Sequence, residues 1–283
     1  MTNEQFKIDE IPNDFDDEVY YKLNPDVKES GMNARKHYIK FGKSEGRIYN
    51  LLTVLPSDLD AKFHINKNTK IPKFSSHENI WQWIKINQSK PGLRVLEIGS
   101  RCVSSDSLWK KIIPNCSYTG IDVIAGKNVT IVGDAHRLSN YFAPNSFDLV
   151  ISFAVFEHLA MPWVVIEEIS KVLAKNGHVV IETHFSFSEH ELPWHFFQFN
   201  SNALEVLFCS ELGYELIDSG LSSPIVGRFS KFAPQYLAGK HVTDLYCHSS
   251  IIVKKINDIE IKDAFNWRSI LNRLFSESTY PVR

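Results

Sequence analysis

The chain has 283 residues, 43% hydrophobic and 23% charged, which suits one large soluble domain with or without a small appendage. Lys and Arg number 31 against 33 Asp and Glu, for a net charge of -2, so the basic excess of a dedicated nucleic-acid binder is absent. No run approaches the about 18 apolar residues that span a membrane, and the acidic start MTNEQFKIDEIPNDFDDE lacks the parts of a secretory signal. A cytoplasmic location is therefore expected. The cysteines (Cys102, Cys116, Cys209, Cys247) form no C-x-x-C pair, which argues against a disulfide framework or a thiolate metal site.

Residues 1–18 carry seven acids against Lys7 alone and predict a mobile, solvated start. Residues 19–50 predict short helices: Asn24-Pro25 is a start signal, Ser30-Gly31 a stop, and Ala34, His37, Tyr38 and Phe41 have the spacing of one buried face. A unit this small is expected to lack a core of its own. Residues 51–75, with Pro56, Pro72 and the HINKNTK patch, predict a linker or lid segment.

From residue 76 the pattern becomes strand–helix alternation. A helix around Trp81, Trp83 and Ile84 ends at Pro91-Gly92, and RVLEIG (94–99) follows as a buried strand. Further strands are expected at 117–123, 128–134, 147–153 and 177–184, with a crossover helix through Val164, Val165, Glu168, Ile169, Val172 and Leu173. Short apolar strands alternating with helices predict a parallel sheet covered on both faces, an α/β domain over 76–256. Residues 202–212 predict a helix, and 214–220 and 249–256 two late strands forming an antiparallel edge. In the tail, 257–283, Trp267, Ile270, Leu271 and Leu274 lie at helical spacing beside Arg268 and Arg273. That basic amphipathic helix either docks on the protein or rests peripherally on the inner face of the membrane.

In a doubly wound sheet, ligands bind beyond the carboxyl ends of the strands. The first strand ends Glu97-Ile98-Gly99-Ser100-Arg101, the second at Asp122 and the third at Asp134. A carboxylate can accept both vicinal hydroxyl protons of a ribose, and another can accept from an adenine amino group. A nicotinamide-binding fingerprint would need G-x-G-x-x-G after the first strand, and only Gly99 is present.

The segments VLEIG, GIDV, VGDAHRL, FDLVISFAVFEHL and LAKNGHVVIETH, in this order, resemble the class I S-adenosylmethionine-dependent methyltransferases. The resemblance implies a Rossmann-like seven-stranded sheet whose last hairpin is antiparallel. It also implies a cofactor-binding set of Glu97, Gly99, Ser100, Arg101, Asp122, Val123, Asp134, Ala135, His136 and Phe153. In that set Asp122 would hold the ribose, Asp134 and Ala135 the adenine, and residues 153–156 would lie under the transferable methyl group. The family's loop is usually richer in glycine; here Arg101 is expected to pair with the methionine carboxylate, because guanidinium matches carboxylate in a two-pronged fashion.

Methyl transfer from a sulfonium mainly needs the acceptor held in line, but a hydroxyl acceptor also gains from a general base. Histidine suits that role, and His184, at the end of the fifth strand, is the first candidate, with His195 second and His158 third. The spacing of His184, His190, His195, Glu189 and Glu191 matches no strong metal motif, so no metal is expected. The segment 185–199 (FSFSEHELPWHFFQF) is rich in aromatics, and Trp194, His190 and Phe197 are candidate acceptor contacts. This segment resembles the corresponding loop of methyltransferases associated with bacterial surface polysaccharides. YYKLNPDVKESGMNARKHYIKFGKSEGR resembles a short helical module attached to bacterial glycosyltransferases. Together they imply O-methylation of a saccharide acceptor, with a glycosyltransferase or other glycan-assembly protein as a partner. A small-molecule or amine acceptor, or a non-catalytic scaffold, are the rival readings.

Overall fold

A computed structural model describes residues 11–12, 15–49, 69–73, 77–102, 112–230, 232–258 and 270. The chain divides into two compact units, residues 1–65 and 66–283.

The first unit begins with α1 (Asp17–Leu23), which takes the last acids of the run expected to be mobile. The Asp16 side chain accepts from Val19 N–H, and Asp17 and Glu18 occupy the first turn, where the helix dipole favours negative charge. Helix α2 (Pro25–Glu29) starts on its proline, and α3 (Ala34–His37) is capped by the Asn33 side chain. A π-helical turn (Tyr38–Gly42) follows, with Lys43 N–H donating to Tyr38 O and Arg47 N–H to Gly42 O. This wider turn rotates Phe41 outward to 38% exposure while Ala34, His37 and Tyr38 stay buried. The expected four-residue face is thus a three-residue face.

The expectation that this unit lacks a core is also corrected. Phe15, Tyr20, Val27, Ala34 and Tyr38 bury one another, with Ile11, Tyr21 and Tyr49 packed around them. Large aromatic rings let so few residues exclude water, and the Tyr20 hydroxyl they bring inside lies 3.0 Å from His37 Nδ1.

In the second unit, α4 (His77–Asn87) precedes β1 (Arg94–Ile98), β2 (Ser117–Asp122), β3 (Ile131–Val132) and β4 (Phe147–Phe153). Helix α5 (Pro162–Val172) runs directly into β5 (Leu173–His184); α6 (Ser201–Leu207), β6 (Tyr214–Pro224), the short pair β7 (Gly227–Arg228) and β8 (His241–Val242), and β9 (Tyr246–Lys255) complete it. The seven-stranded sheet has the order β3-β2-β1-β4-β5-β9-β6. Strands β1 to β5 pair in parallel, and β9 is antiparallel to both neighbours, β5 and β6. One face packs Val95, Leu149, Ile151, Val180 and Ile252 against Ile80, Trp83 and Ile84 of α4. The other packs Leu96, Val150, Val179 and Ile251 against Val165, Ile169 and Val172 of α5 and Leu204 of α6. This is the Rossmann-like seven-stranded sheet expected, with its last hairpin antiparallel.

Several boundaries differ from expectation. Strand β3 is cut to two residues because Val129 and Thr130 are drawn into a turn, their N–H groups donating to Gly126 O and Gly120 O. The helix expected over 202–212 breaks at Phe208 and Cys209 and resumes as a 3₁₀ turn (Ser210–Leu212) that stops at left-handed Gly213. The β7–β8 pair was not foreseen. The expected linker over 51–68 and nearly all of the tail helix lie outside the described residues, although Ile270 is helical and buried. Residues 69–73 flank the sheet, with Leu221 N–H donating to Lys70 O at 3.0 Å.

The register places His184, His248 and Ser222 side by side across β5, β9 and β6. The carboxyl ends of β5 and β6 therefore share one edge of the sheet with those of β1, β2 and β4, and the site is built there.

Candidate active site

The residues expected on the donor side lie at the ends of β1 and β2. Gly99 leaves β1 with φ +75°, and a Cβ there would stand 2.1 Å from Val155 Cγ2, so glycine is required. Gly99 and Ser100 N–H both donate to Ile121 O, tying this turn to β2. Asp122 accepts from Arg101 N–H (3.1 Å) and Ile124 N–H (2.9 Å), which fixes the orientation of its carboxylate. Val123 and Ile124 follow it, 68% and 54% exposed, an apolar rim suited to a purine face. The Arg101 stem runs past Gly126, leaving Nε 4.0 Å from Asp122 Oδ1. The guanidinium thus stands beside the acid expected to hold the ribose.

Asp134 caps the 3₁₀ turn Ala135–Asn140 through His136 N–H. Burial works to raise its carboxyl pKa, but the backbone and ring bonds from His136 outweigh this and hold it below the ordinary value. Both nitrogens of His136 are engaged: Nδ1 lies 2.7 Å from Asp134 Oδ1, and Nε2 accepts from Met161 N–H. His136 is therefore a strut inside the fold. Ala135 is buried, and Glu97 receives the Tyr118 hydroxyl, whose pKa burial and Glu97 push well up. Phe153 stacks on Trp81 with ring centroids 5.0 Å apart, whereas Phe156, placed with it by the sequence, is sealed in the core.

The histidines expected to serve the acceptor gather around a residue the sequence reading passed over. Glu157, on the turn after β4, is fully buried. Its Oε2 accepts from Thr183 Oγ1 at 2.6 Å, and its Oε1 stands 2.8 Å from His184 Nδ1. Burial again acts to raise the carboxyl pKa, and the His184 and Thr183 contacts overcome it, keeping Glu157 below the usual carboxylate range. The Glu157 carbonyl accepts from Phe196 N–H (2.8 Å) and Phe197 N–H (3.2 Å), so the same residue anchors the loop 185–199.

His184 stacks on Phe187 at 4.5 Å, and the His190 ring lies 5.1 Å from His184, 4.8 Å from His158 and 4.7 Å from His195. His158 Nδ1 is 2.6 Å from Trp194 O, and His190 Nδ1 is 2.9 Å from Ser188 O. A carbonyl only accepts, so each Nδ1 donates in these contacts, and His158 Nε2 faces the Glu191 carboxylate at 3.9 Å. His195 differs, its Nδ1 accepting from His190 N–H. Trp194 is 63% exposed beside this cluster, while Phe197 is half-buried and packs on the core near Phe199. Among the described residues two groups could hold a metal ion: Glu157, His184 and His190, and His184, Cys247 and His248. The signal that could have revealed Glu157 was its position beside His158 at the end of FDLVISFAVFEHL; its pairing with β5 is a tertiary fact.

Residues 97–181 match the family model described as a methyltransferase domain. No curated protein matches the chain. Among solved structures, the YcgJ protein of Bacillus subtilis is similar at 16% identity, covering 65% of this chain and all of that one, with a TM-score of 0.43. The 1,6-didemethyltoxoflavin-N1-methyltransferase of Burkholderia thailandensis is 13% identical over 62% of this chain and 76% of its own, TM-score 0.45. The N-methyltransferase NodS of Bradyrhizobium japonicum is 15% identical over 63% and 85%, TM-score 0.41. Residues 97–181, from β1 into β5 of the seven-stranded sheet, are thus the part of the chain that is similar to a methyltransferase domain.

Proposed function

We propose that the chain is a class I methyltransferase that takes its methyl group from S-adenosylmethionine and transfers it to an oxygen, a hydroxyl of a saccharide belonging to a bacterial cell-surface glycan or its precursor. The observation carrying this reading is the carboxylate-and-imidazole cluster of Glu157, His184, His190, His158 and His195 at the acceptor edge. A neutral amine already offers a lone pair, whereas a hydroxyl must shed a proton as its bond to carbon forms, and such a cluster suits the second task. Exposed Phe187 and Trp194 beside it offer flat apolar surfaces for a sugar face. The donor supplies an activated methyl group. Asp122 would accept from its ribose hydroxyls, Val123 and Ile124 would flank the adenine, and Asp134 would receive the adenine amino group through its remaining acceptor capacity. The N-terminal unit is proposed as a docking or spacer module toward a glycosyltransferase.

The test compares turnover on panels of saccharide hydroxyls and of amines. Transfer to a hydroxyl is expected, and His184→Ala and Glu157→Gln should each lower kcat by roughly 10²-fold or more with S-adenosylhomocysteine affinity unchanged. Turnover confined to amines and indifferent to both substitutions would refute oxygen methylation.

A further inference from the structure

We propose that Glu157, His184 and His190 form a binding site for a first-row divalent transition ion, zinc-like in its preferences, which receives the acceptor oxygen. The inference rests on the oxygen-methylation reading and assigns a means to it. Three donors, one each from the turn after β4, the end of β5 and the loop beyond, can offer ligand atoms all within 4.8 Å of one another. Two imidazoles with one carboxylate suit zinc, iron, cobalt or nickel better than magnesium or calcium, which favour all-oxygen shells. Three protein ligands also leave open positions, the arrangement of catalytic rather than structural metal sites.

A second observation concerns two of these donors. Glu157 Oε1 and His184 Nδ1 are both sealed from water and face each other 2.8 Å apart in an ion-pair contact whose angles fall short of a hydrogen bond. Two buried polar atoms facing each other without alignment are costly unless something else engages both. A cation would do so. The surroundings match what ligating residues usually have behind them. Glu157 Oε2 is held by Thr183 Oγ1, and the His190 Nδ1 proton goes to Ser188 O, leaving Nε2 as its ligand atom.

The chemistry follows. An acceptor hydroxyl bound at an open position loses its proton to solvent more readily, because the cation stabilises the alkoxide. The oxygen then bonds to the methyl carbon as the carbon–sulfur bond breaks, and that electron pair stays on sulfur. His184 acts here as a ligand through Nδ1.

The experiment strips the full-length chain with a chelator and titrates it with cobalt(II), read by visible d–d absorption and by elemental analysis. One cobalt per chain is expected, with a nitrogen–oxygen spectrum and no thiolate charge-transfer band. Glu157→Gln and His190→Ala should each weaken binding by about tenfold or more. Cys247→Ser should leave it unchanged, and a retained thermal shift with S-adenosylhomocysteine would confirm that each variant is folded. No cobalt spectrum at excess metal, or binding indifferent to Glu157→Gln and His190→Ala, overturns the site. A thiolate band abolished by Cys247→Ser does so too, by moving the ion to the His184, Cys247 and His248 group. Cobalt bound as expected without turnover on any hydroxyl would leave the metal site standing and remove the oxygen-methylation reading. Undiminished hydroxyl turnover in chelator, with no cobalt bound, would do the reverse.

Discussion

At Gly99 two constraints coincide: a left-handed φ of +75° and a Cβ position 2.1 Å from Val155 Cγ2. Gly99→Ala should therefore destabilise the domain by ~2 kcal/mol or more, combining backbone strain with the displacement of Val155. Donor affinity should fall with it, since the same turn aims Asp122. Adding Val155→Ala should recover part of the melting temperature and not the strain; a single variant that melts like wild type would show the turn to be tolerant. The sequence marks this glycine and the acids at 122 and 134 because strand ends can be read from local pattern. It does not show that His136 is spent on Asp134 and Met161, nor that Glu157 meets His184, because those contacts join segments whose proximity only the sheet creates.

Among elements, β1 and β4 were readable because each is a short apolar run with clear breakers, and both occupy their expected positions. Their mutual register has a polar pin at its start. The Arg94 guanidinium and backbone N–H grip the Asp148 carboxylate at 2.7 to 3.0 Å. The Arg94 side chain, chiefly, holds the Asp148 pKa below its ordinary value, with burial opposing and the Arg94 backbone assisting. A carboxyl whose folded pKa is depressed contributes stability above its unfolded value near ~3.9, and that contribution is lost as pH falls through the folded pKa. The pair is partly solvent-screened, so Asp148→Asn should cost at most ~1 kcal/mol at neutral pH. The deficit should vanish in acid, and urea titrations of both proteins from pH 7 to pH ~2 would check it. A deficit that persists unchanged would mean the side chain matters for shape alone. Strand β3 and the broken helix after residue 201 were less readable. Their limits depend on turns closed by Gly120, Gly126 and Gly213, which local apolar periodicity does not encode.

Of the two units in the whole molecule, the smaller depends on a few aromatic side chains, with Tyr20 at 0% exposure among them. Tyr20→Ala should cost about 3–5 kcal/mol, more than so small a core can absorb. Hydrogen exchange should then report lost amide protection across α1 to α3, and protection retained there would mean the surrounding rings can close the gap. The donor site proposed for the larger unit lies at the ends of β1 and β2, so ligand binding should report on that whole sheet. With S-adenosylhomocysteine at 100 times its dissociation constant, linkage adds about 2.7 kcal/mol. For a domain of this size that raises the melting temperature by roughly 5–10 °C. NAD should give no shift, because the loop after β1 lacks the glycines a dinucleotide pyrophosphate needs for close backbone approach. Asp122→Asn should shrink the shift while leaving the unliganded melting point nearly unchanged. The carboxylate's contacts with Arg101 and Ile124 N–H can pass in part to the amide oxygen, but only a carboxylate has acceptors to spare for both ribose hydroxyls. A full shift in Asp122→Asn would place the ribose elsewhere, and no shift in wild type would show that the altered loop no longer holds the donor.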